Sequence, residues 1–283
     1  MKDYFELTKP RITWLILMST LVGYFFGHDG AWEPWPLLHV ILGTVLIASG
    51  TAALNQWSER EADRKMRRTA RRPLPAGRLA PGRALMFGMA LSAAGFVELW
   101  LGLNLLAGLL GLFTLLAYLF LYTPLKQRTH LSTLVGAFPG AMPPLIGFAG
   151  ARGDLTTEAW VLFGILFLWQ FPHFLSIAWL YREDYARAGI RMLPVVEPSG
   201  RATARQIVLY ALALIPVSLL PGLLGMSGKL YVLGALALGM WYLWSGVRVA
   251  RDRTLLRARG VLVASIVYLP LIYGLLVLDR PGL

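Results

Sequence analysis

The sequence predicts an all-helical integral membrane protein with nine transmembrane helices, and three observations support this fold class. The chain of 283 residues is 57% hydrophobic and only 15% charged, whereas a soluble domain is typically about 25% charged. The apolar residues fall into nine runs, each near the ~20 residues that a bilayer-spanning helix needs. The connections between the runs are short, so a single transmembrane domain is expected over residues 1–283. The predicted spans are 12–27, 36–55, 84–101, 104–121, 131–149, 158–180, 204–224, 230–247 and 260–278.

The charges decide whether the nearly continuous apolar stretch 84–121 holds one span or two. A tight turn is expected at Gly102-Leu103-Asn104. With a break there and a cytoplasmic N-terminus, every Lys and Arg except Arg152, Lys229 and Arg280 lies on the cytoplasmic side. A fused helix would instead divide the basic residues almost equally. Basic residues concentrate in cytoplasmic loops, so we expect two spans and a C-terminus on the opposite side of the membrane.

The net charge and the cysteine count exclude several classes of function. The net charge of +12 follows from this topology, so no nucleic-acid partner is required. The chain contains no cysteine, which excludes disulfides, thiolate nucleophiles and cysteine metal sites. The N-terminus has neither a cleavage site nor a transit segment, which favours an uncleaved helix in a bacterial or archaeal inner membrane.

The most informative polar stretch follows the second predicted span. Asn55, Glu59 and Asp63 are spaced four residues apart, so they share one face of a helix. Two carboxylates and an amide oxygen suit Mg²⁺, which takes its remaining ligands from substrate phosphates. A run of Arg and Lys follows at once, as a bound diphosphate would require. The alternative is a solvated, charged loop, and Glu61, which points away from this face, is expected to be a surface acid.

Two further polar connections lie on the same predicted side. Glu183 and Asp184 follow the sixth span, and a second carboxylate group facing the first would allow a second Mg²⁺. Lys126 and Arg128 follow the fourth span and could bind phosphate oxygens. Two solvated loops would account for the same residues.

His173 is an ionisable residue in the cytoplasmic half of the sixth span. Such a residue within the membrane indicates a functional site. Pro172 precedes it, which predicts a break in the helix and an opening cavity. The alternative is a histidine that forms a hydrogen bond between helices. Glu98 lies near the outer end of its span, and we interpret it as interfacial.

The chain resembles the intramembrane prenyltransferases of the UbiA superfamily, and within it the branch that farnesylates haem. The superfamily patterns are N-x-x-x-D/E-x-x-x-D at Asn55, Glu59 and Asp63, and a second acidic motif at Glu183-Asp184, which lacks the final Asp of the wider superfamily. The segments specific to the haem branch are KPRIT at 9–13, DRKMRRTARRPLPAG at 63–77, YTPLKQRT at 122–129, GAFPGAMPPLIGFAG at 136–150, WQFPHF at 169–174 and DYARAGIRMLPVV at 184–196.

The resemblance implies nine helices around a central cavity that opens toward the cytoplasm and the lipid. It implies transfer of a farnesyl group from farnesyl diphosphate to a vinyl group of haem B, with addition of water, which gives haem O. Mg²⁺ is the implied cofactor, and the lipid bilayer is the surrounding medium. A downstream partner is also implied, either a haem-modifying enzyme or a cytochrome oxidase assembly protein.

The implied site residues fall into four sets. The catalytic residues are Asn55, Glu59, Asp63 and Asp184, and the metal is held by Asn55, Glu59, Asp63, Glu183 and Asp184. The diphosphate is bound by Arg64, Lys65, Arg68, Lys126 and Arg128. Haem is contacted by His173, Arg72 and Arg182, and the two arginines either pair with the haem propionates or neutralise the diphosphate.

Two other functions remain open from the residues. A related prenyltransferase would use another acceptor, such as 4-hydroxybenzoate or a chlorophyll precursor. An ion-coupled transporter would use Asn55, Glu59, Asp63 and His173 as its ion site. Transporters typically place that site near the bilayer midplane between repeats, whereas these acids lie at one interface and no repeat is detectable.

Overall fold

The computed structural model describes residues 1–30 and 33–282, and the regular structure in this part of the chain is helical. The helices are α1 (Lys2–Leu7), α2 (Pro10–Gly27), α3 (Pro34–Lys65), α4 (Pro81–Gly102), α5 (Leu105–Leu116), a π-helical segment (Ala117–Tyr122), α6 (Thr123–Leu125), α7 (Ser132–Gly140), α8 (Pro143–Arg152), α9 (Thr157–Leu180), α10 (Arg182–Arg187), α11 (Leu193–Val196), α12 (Arg201–Leu223), α13 (Lys229–Arg251) and α14 (Leu255–Leu278).

Eight helical stretches of the described chain are long and apolar enough to cross a membrane. They are α3, α4, the stretch Leu105–Leu125, the stretch Ser132–Arg152, α9, α12, α13 and α14. The predicted first span corresponds to α2, which has 18 residues and is not among the eight. The multi-pass, all-helical prediction is therefore confirmed, and the ninth crossing stays a prediction.

The predicted break between the third and fourth spans is confirmed. Helix α4 ends at Gly102 and α5 begins at Leu105. The side chain of Asn104 caps α5, because its Oδ1 accepts a hydrogen bond of 2.9 Å from the Ala107 amide. Its Nδ2 donates to the carbonyl oxygen of Ala149 at 2.7 Å, which ties the turn to α8.

Proline acts differently from the prediction at two places. The predicted fifth span at 131–149 is divided into α7 and α8 at Ala141-Met142, because Pro143 and Pro144 both lack the amide that a continuing helix needs. Conversely, the predicted break at Pro172 is wrong, since α9 continues through it from Thr157 to Leu180. A single proline removes one hydrogen bond, and the neighbouring helices of a bundle can compensate for it.

Small residues let the helices approach closely. A Cβ atom on Gly147 of α8 would lie 1.8 Å from the carbonyl oxygen of Thr20 in α2, and one on Gly23 would lie 2.0 Å from that of Pro144. Many large apolar side chains point outward, as Leu101 does with 71% exposure. This is the arrangement expected of helices that pack through small residues and face lipid with large ones.

The three polar connections predicted to share one side meet at one end of the bundle. The backbone amide of Arg191 donates to the carbonyl oxygen of Lys126 at 2.7 Å. The backbone amide of Arg68 donates to Oδ2 of Asp184 at 3.2 Å. The chain that follows α3 is thus joined to α10, and the chain that precedes α11 is joined to the end of α6.

Candidate active site

The last three turns of α3 present the predicted motif to the interior. Asn55 and Asp63 are 2% and 0% exposed, and the Glu59 side chain is 14% exposed. Glu61 is 65% exposed, as predicted for the opposite face. The shared face of the three motif residues is therefore confirmed.

Each motif residue accepts a hydrogen bond from a cationic side chain outside α3, at a separation of 46 positions for Asn55, 67 for Glu59 and 9 for Asp63. The three pairs are Lys9 Nζ to Asn55 Oδ1 at 3.0 Å, Lys126 Nζ to Glu59 Oε1 at 2.6 Å, and Arg72 Nη1 to Asp63 Oδ2 at 2.7 Å. One amide and two carboxylates along this face of α3 are thus each paired with a cation. Such a site can bind a metal ion through the carboxylates and an anion through the cations.

Aromatic rings flank the central ion pair. The ammonium group of Lys126 lies 4.2 Å from the ring centroid of Tyr122 and 5.7 Å from that of Tyr118. Both tyrosines belong to the π-helical segment that precedes α6. Their π faces attract positive charge, and the sequence analysis did not predict this role for either of them.

The second acidic motif contributes one carboxylate to this end of the bundle. Asp184 is buried, at 7% exposure; it accepts the amide of Arg68 and forms an ion pair with Arg187. Glu183 is exposed and does not join it. The structure therefore places Asp184, and not Glu183, against the segment that follows α3.

The basic residues predicted for a diphosphate are spread over two environments. Lys126 lies inside the site, whereas Arg64 is exposed and paired with Glu61 at 3.3 Å. The guanidinium of Arg68 lies 5.0 Å from the ring centroid of Tyr181. Lys65 and Arg128 are exposed. None of the last four contacts the three motif residues directly.

Lys9 is a site residue to which the sequence analysis gave no role. It directly precedes α2 and adopts a left-handed backbone with φ of 48°. Its pKa is lowered to about 7, chiefly by burial and by the nearby charge of Arg72. The KPRIT segment was recognised as a family pattern, but only the fold shows that its lysine meets Asn55.

The acidic residues fit a Mg²⁺ ion that is completed by a substrate. Within the described chain, no three His, Cys, Asp or Glu side chains are grouped closely enough to hold a metal ion by themselves. However, Oδ1 of Asp63 is buried and has no hydrogen-bond partner, so one carboxylate oxygen is free to bind a cation. Mg²⁺ commonly uses one or two carboxylates and takes phosphate oxygens for the rest.

His173 forms a hydrogen bond between α9 and α14, as a structural histidine would. Its Nδ1 lies 2.8 Å from Oγ of Ser265, and its ring stacks on that of Trp169 with centroids 4.9 Å apart. The Ser265 hydroxyl donates to the carbonyl oxygen of Leu262 at 2.6 Å. A hydroxyl has one proton to donate, so this network assigns the ring proton to Nδ1. The lone pair is then on Nε2, in the neutral form that ligates metals.

Arg182 was predicted to contact haem together with His173 and Arg72, but its side chain turns back on its own chain. Its Nη1 donates a hydrogen bond to the carbonyl oxygen of Trp179 at 3.2 Å, and its guanidinium carbon lies 4.8 Å from the centroid of the Trp179 ring. Trp179 is buried. Arg182 is therefore held near the start of α10 and does not contact the three motif residues.

Known proteins are similar to this one over nearly the whole chain. Residues 16–269 match the model of the UbiA prenyltransferase family. The chain is 71% identical to the protoheme IX farnesyltransferase of Solibacter usitatus (strain Ellin6076), over 100% of both chains. It is 48% identical to the protein of the same name from Koribacter versatilis (strain Ellin345), over 99% of this chain and 94% of that one.

Solved structures share the fold at low sequence identity. A digeranylgeranylglyceryl phosphate synthase superposes with a TM-score of 0.80 at 18% identity, over 100% of this chain and 99% of the other. A UbiA homologue from Archaeoglobus fulgidus, bound to GPP and Mg²⁺, gives 0.72 at 15% identity, over 97% and 99% of the two chains. The match to the family model and the identity to full-length relatives lead to one conclusion: the chain belongs to the UbiA prenyltransferase family.

Proposed function

We propose that this prenyltransferase transfers the farnesyl group of farnesyl diphosphate to a vinyl group of haem B, giving haem O and diphosphate. The observation that carries the proposal is the row of paired cations and acceptors on the buried face of α3. Two relatives that match over nearly their whole length bear the name of this activity.

The bonds that change define what the site must do. The C–O bond between the farnesyl group and the diphosphate breaks, and its electron pair leaves with the diphosphate. The vinyl π electrons form the new C–C bond, and water adds to the resulting cation with loss of a proton. The site must therefore stabilise a departing anion, shield an allylic cation from water, and admit water only afterwards.

The residues of the site match these demands. Glu59 and Asp63, with Asn55 on the same face of α3, would hold Mg²⁺, which when bound stabilises the charge on the departing diphosphate. Asp184 stays a predicted ligand. Lys126 and Arg72 supply donors for the diphosphate oxygens. The rings of Tyr118 and Tyr122 lie beside Lys126, where their π faces would favour an allylic cation.

The activity is tested with the purified full chain in lipid vesicles. Farnesyl diphosphate, haem B and Mg²⁺ should give a product with the mass of haem O, and chelation of Mg²⁺ should stop its formation. Parallel reactions offer 4-hydroxybenzoate and a chlorophyll precursor as acceptors. A product from one of these and none from haem would contradict the proposed acceptor while retaining the prenyltransferase.

We also propose that the chain crosses a bacterial or archaeal inner membrane nine times, with α2 as the first crossing. The N-terminus and the active site would then lie on the cytoplasmic face, and the C-terminus on the opposite face. The support is that the basic connections gather at the end where the motif residues lie. The helices would then enclose a central cavity. The downstream partner, which would modify haem further or assemble cytochrome oxidase, stays a prediction.

Single cysteines test the orientation, since the chain has no cysteine of its own. Arg253 and Asp154 are both exposed. Arg253→Cys should react with an impermeant reagent only from the cytoplasmic side, and Asp154→Cys only from the opposite side. Labelling of both from one side would contradict the nine-helix arrangement.

We propose that His173 contacts haem through Nε2, with Ser265 fixing the tautomer. If Nε2 ligates the iron, His173→Ala should shift the Soret band of the haem-bound protein and weaken haem binding, with farnesyl diphosphate binding unchanged. Ser265→Ala should produce a smaller shift in the same direction, because the ring loses its anchor. Ser218→Ala removes a buried hydroxyl that is bonded to Tyr268 instead and serves as the control. An unchanged spectrum in His173→Ala would leave this histidine with a structural role only.

A further inference from the structure

We propose that Lys9 binds the diphosphate of the prenyl donor, as a third cation beside Lys126 and Arg72. This inference rests on the proposed function and adds a residue to it. Lys9 precedes the predicted spans, and its Nζ reaches Oδ1 of Asn55 at 3.0 Å.

The N-terminal helix is anchored so that this lysine reaches the site. Leu7 at the end of α1 is fully buried, and its carbonyl oxygen accepts a hydrogen bond of 2.9 Å from Nε2 of Gln56. Arg78 forms ion pairs of 3.0 Å with Asp3 and 2.6 Å with Glu6. Helix α1 is thus attached both to α3, one residue from Asn55, and to the connection that follows α3.

The backbone at Lys9 is strained in the way that functional positions often are. Its φ of 48° is left-handed, a conformation that a residue with a Cβ rarely adopts. Pro10 follows and begins α2, which restricts the preceding residue further. Such strain persists where the surrounding structure fixes it, and it clusters at ligand-binding sites.

Lys9 is the one of the three cations whose hydrogen-bond partner carries no negative charge. Glu59 and Asp63 each have a cation of their own within 2.7 Å, whereas the hydrogen-bond partner of Lys9 is the neutral amide of Asn55. When Lys9 is protonated, the group of three cations and two carboxylates therefore carries one positive charge in excess. A prenyl diphosphate remains an anion with one Mg²⁺ bound, so it would neutralise this excess in a place where an unpaired charge is costly.

Three substitutions in the full-length protein separate charge from structure. Lys9→Met removes the ammonium and keeps an unbranched side chain, Lys9→Arg keeps the charge, and Lys9→Gln provides a second neutral variant. Lys2→Met removes an exposed charge from the same N-terminal helix and is the matched control. The probes are inorganic diphosphate with Mg²⁺ and, separately, haem B, and the dissociation constant of each is measured for every folded variant.

We expect Lys9→Met and Lys9→Gln to weaken diphosphate binding about tenfold or more, the scale of one charge-assisted hydrogen bond. Lys9→Arg should restore most of this loss. Lys2→Met should bind like the wild type, and haem binding should be unchanged throughout. This pattern would support the proposal, since a structural defect would weaken both probes and would not follow the charge.

Three other results are decisive in the opposite direction. Wild-type protein that binds no diphosphate would refute the proposed function itself. If Lys9→Met and Lys9→Gln both bind diphosphate as tightly as the wild type does, only the role of Lys9 is overturned. A loss confined to haem would also overturn it, because the ammonium would then face the propionates of the acceptor.

Discussion

Asp63→Asn is expected to reduce turnover on the order of a thousandfold, the scale of losing one strong electrostatic contact in a transition state. Asp63 is fully buried. Its Oδ2 accepts a hydrogen bond from the guanidinium of Arg72, whereas its Oδ1 has no hydrogen-bond partner. The amide would remove the charge that is proposed to bind Mg²⁺ and leave Arg72 without its carboxylate. Turnover is measured per folded molecule, with monodispersity in detergent as the criterion of folding.

Glu61→Gln is the matched control for this substitution. It removes a carboxylate from the same helix two residues away, but that side chain is exposed and pairs with Arg64 at the surface. Its turnover should stay close to that of the wild type. Wild-type turnover in Asp63→Asn would remove Asp63 from the metal site, whatever the control does.

Lys126→Met should both destabilise the protein and remove most of its activity. The ion pair with Glu59 spans 67 positions of sequence, and both side chains are largely buried, at 13% and 14% exposure. Breaking a buried pair from one side costs about 3–5 kcal/mol of stability, because the remaining charge has no partner. The same ammonium is proposed to bind the diphosphate, so kcat/KM should fall about a hundredfold.

The double variant Glu59→Gln/Lys126→Met separates these two effects. Removing both charges should recover much of the stability, measured as thermal unfolding, because no buried charge is left unpaired. Turnover should not recover, because the site has lost both a proposed metal ligand and a proposed diphosphate donor. Recovery of turnover together with stability would show that Lys126 acts only as the partner of Glu59.

The sequence predicted the helices best where local signals were strong. The polar turn at Gly102-Leu103-Asn104 and the distribution of Lys and Arg located the break between α4 and α5. Proline was less informative. Pro143 and Pro144 divide a predicted span, whereas Pro172 lies within a continuous helix. The effect of a proline depends on whether neighbouring helices satisfy the carbonyl that it frees, and periodicity does not reveal those neighbours.

The site was predictable where its residues share one helix and not where it is assembled across the chain. The spacing of Asn55, Glu59 and Asp63 was sufficient to predict their common face. The cationic partner of each motif residue lies outside α3, and Lys9 is 46 positions from Asn55. Sequence alone placed Glu183 with Asp184, but adjacent residues on a short helix point in different directions, and only Asp184 is buried.

The close approach of α2 to α8 determines which positions of this sequence tolerate substitution. In a soluble domain, large buried side chains constrain substitution and the surface is permissive. Here the outward-facing Leu101 can exchange with other apolar residues because lipid accommodates any shape, whereas Gly23 and Gly147 have no room for a single methyl group. Substitution should therefore be tolerated better at such outward-facing positions than at these two glycines, where an added methyl group would separate α2 from α8.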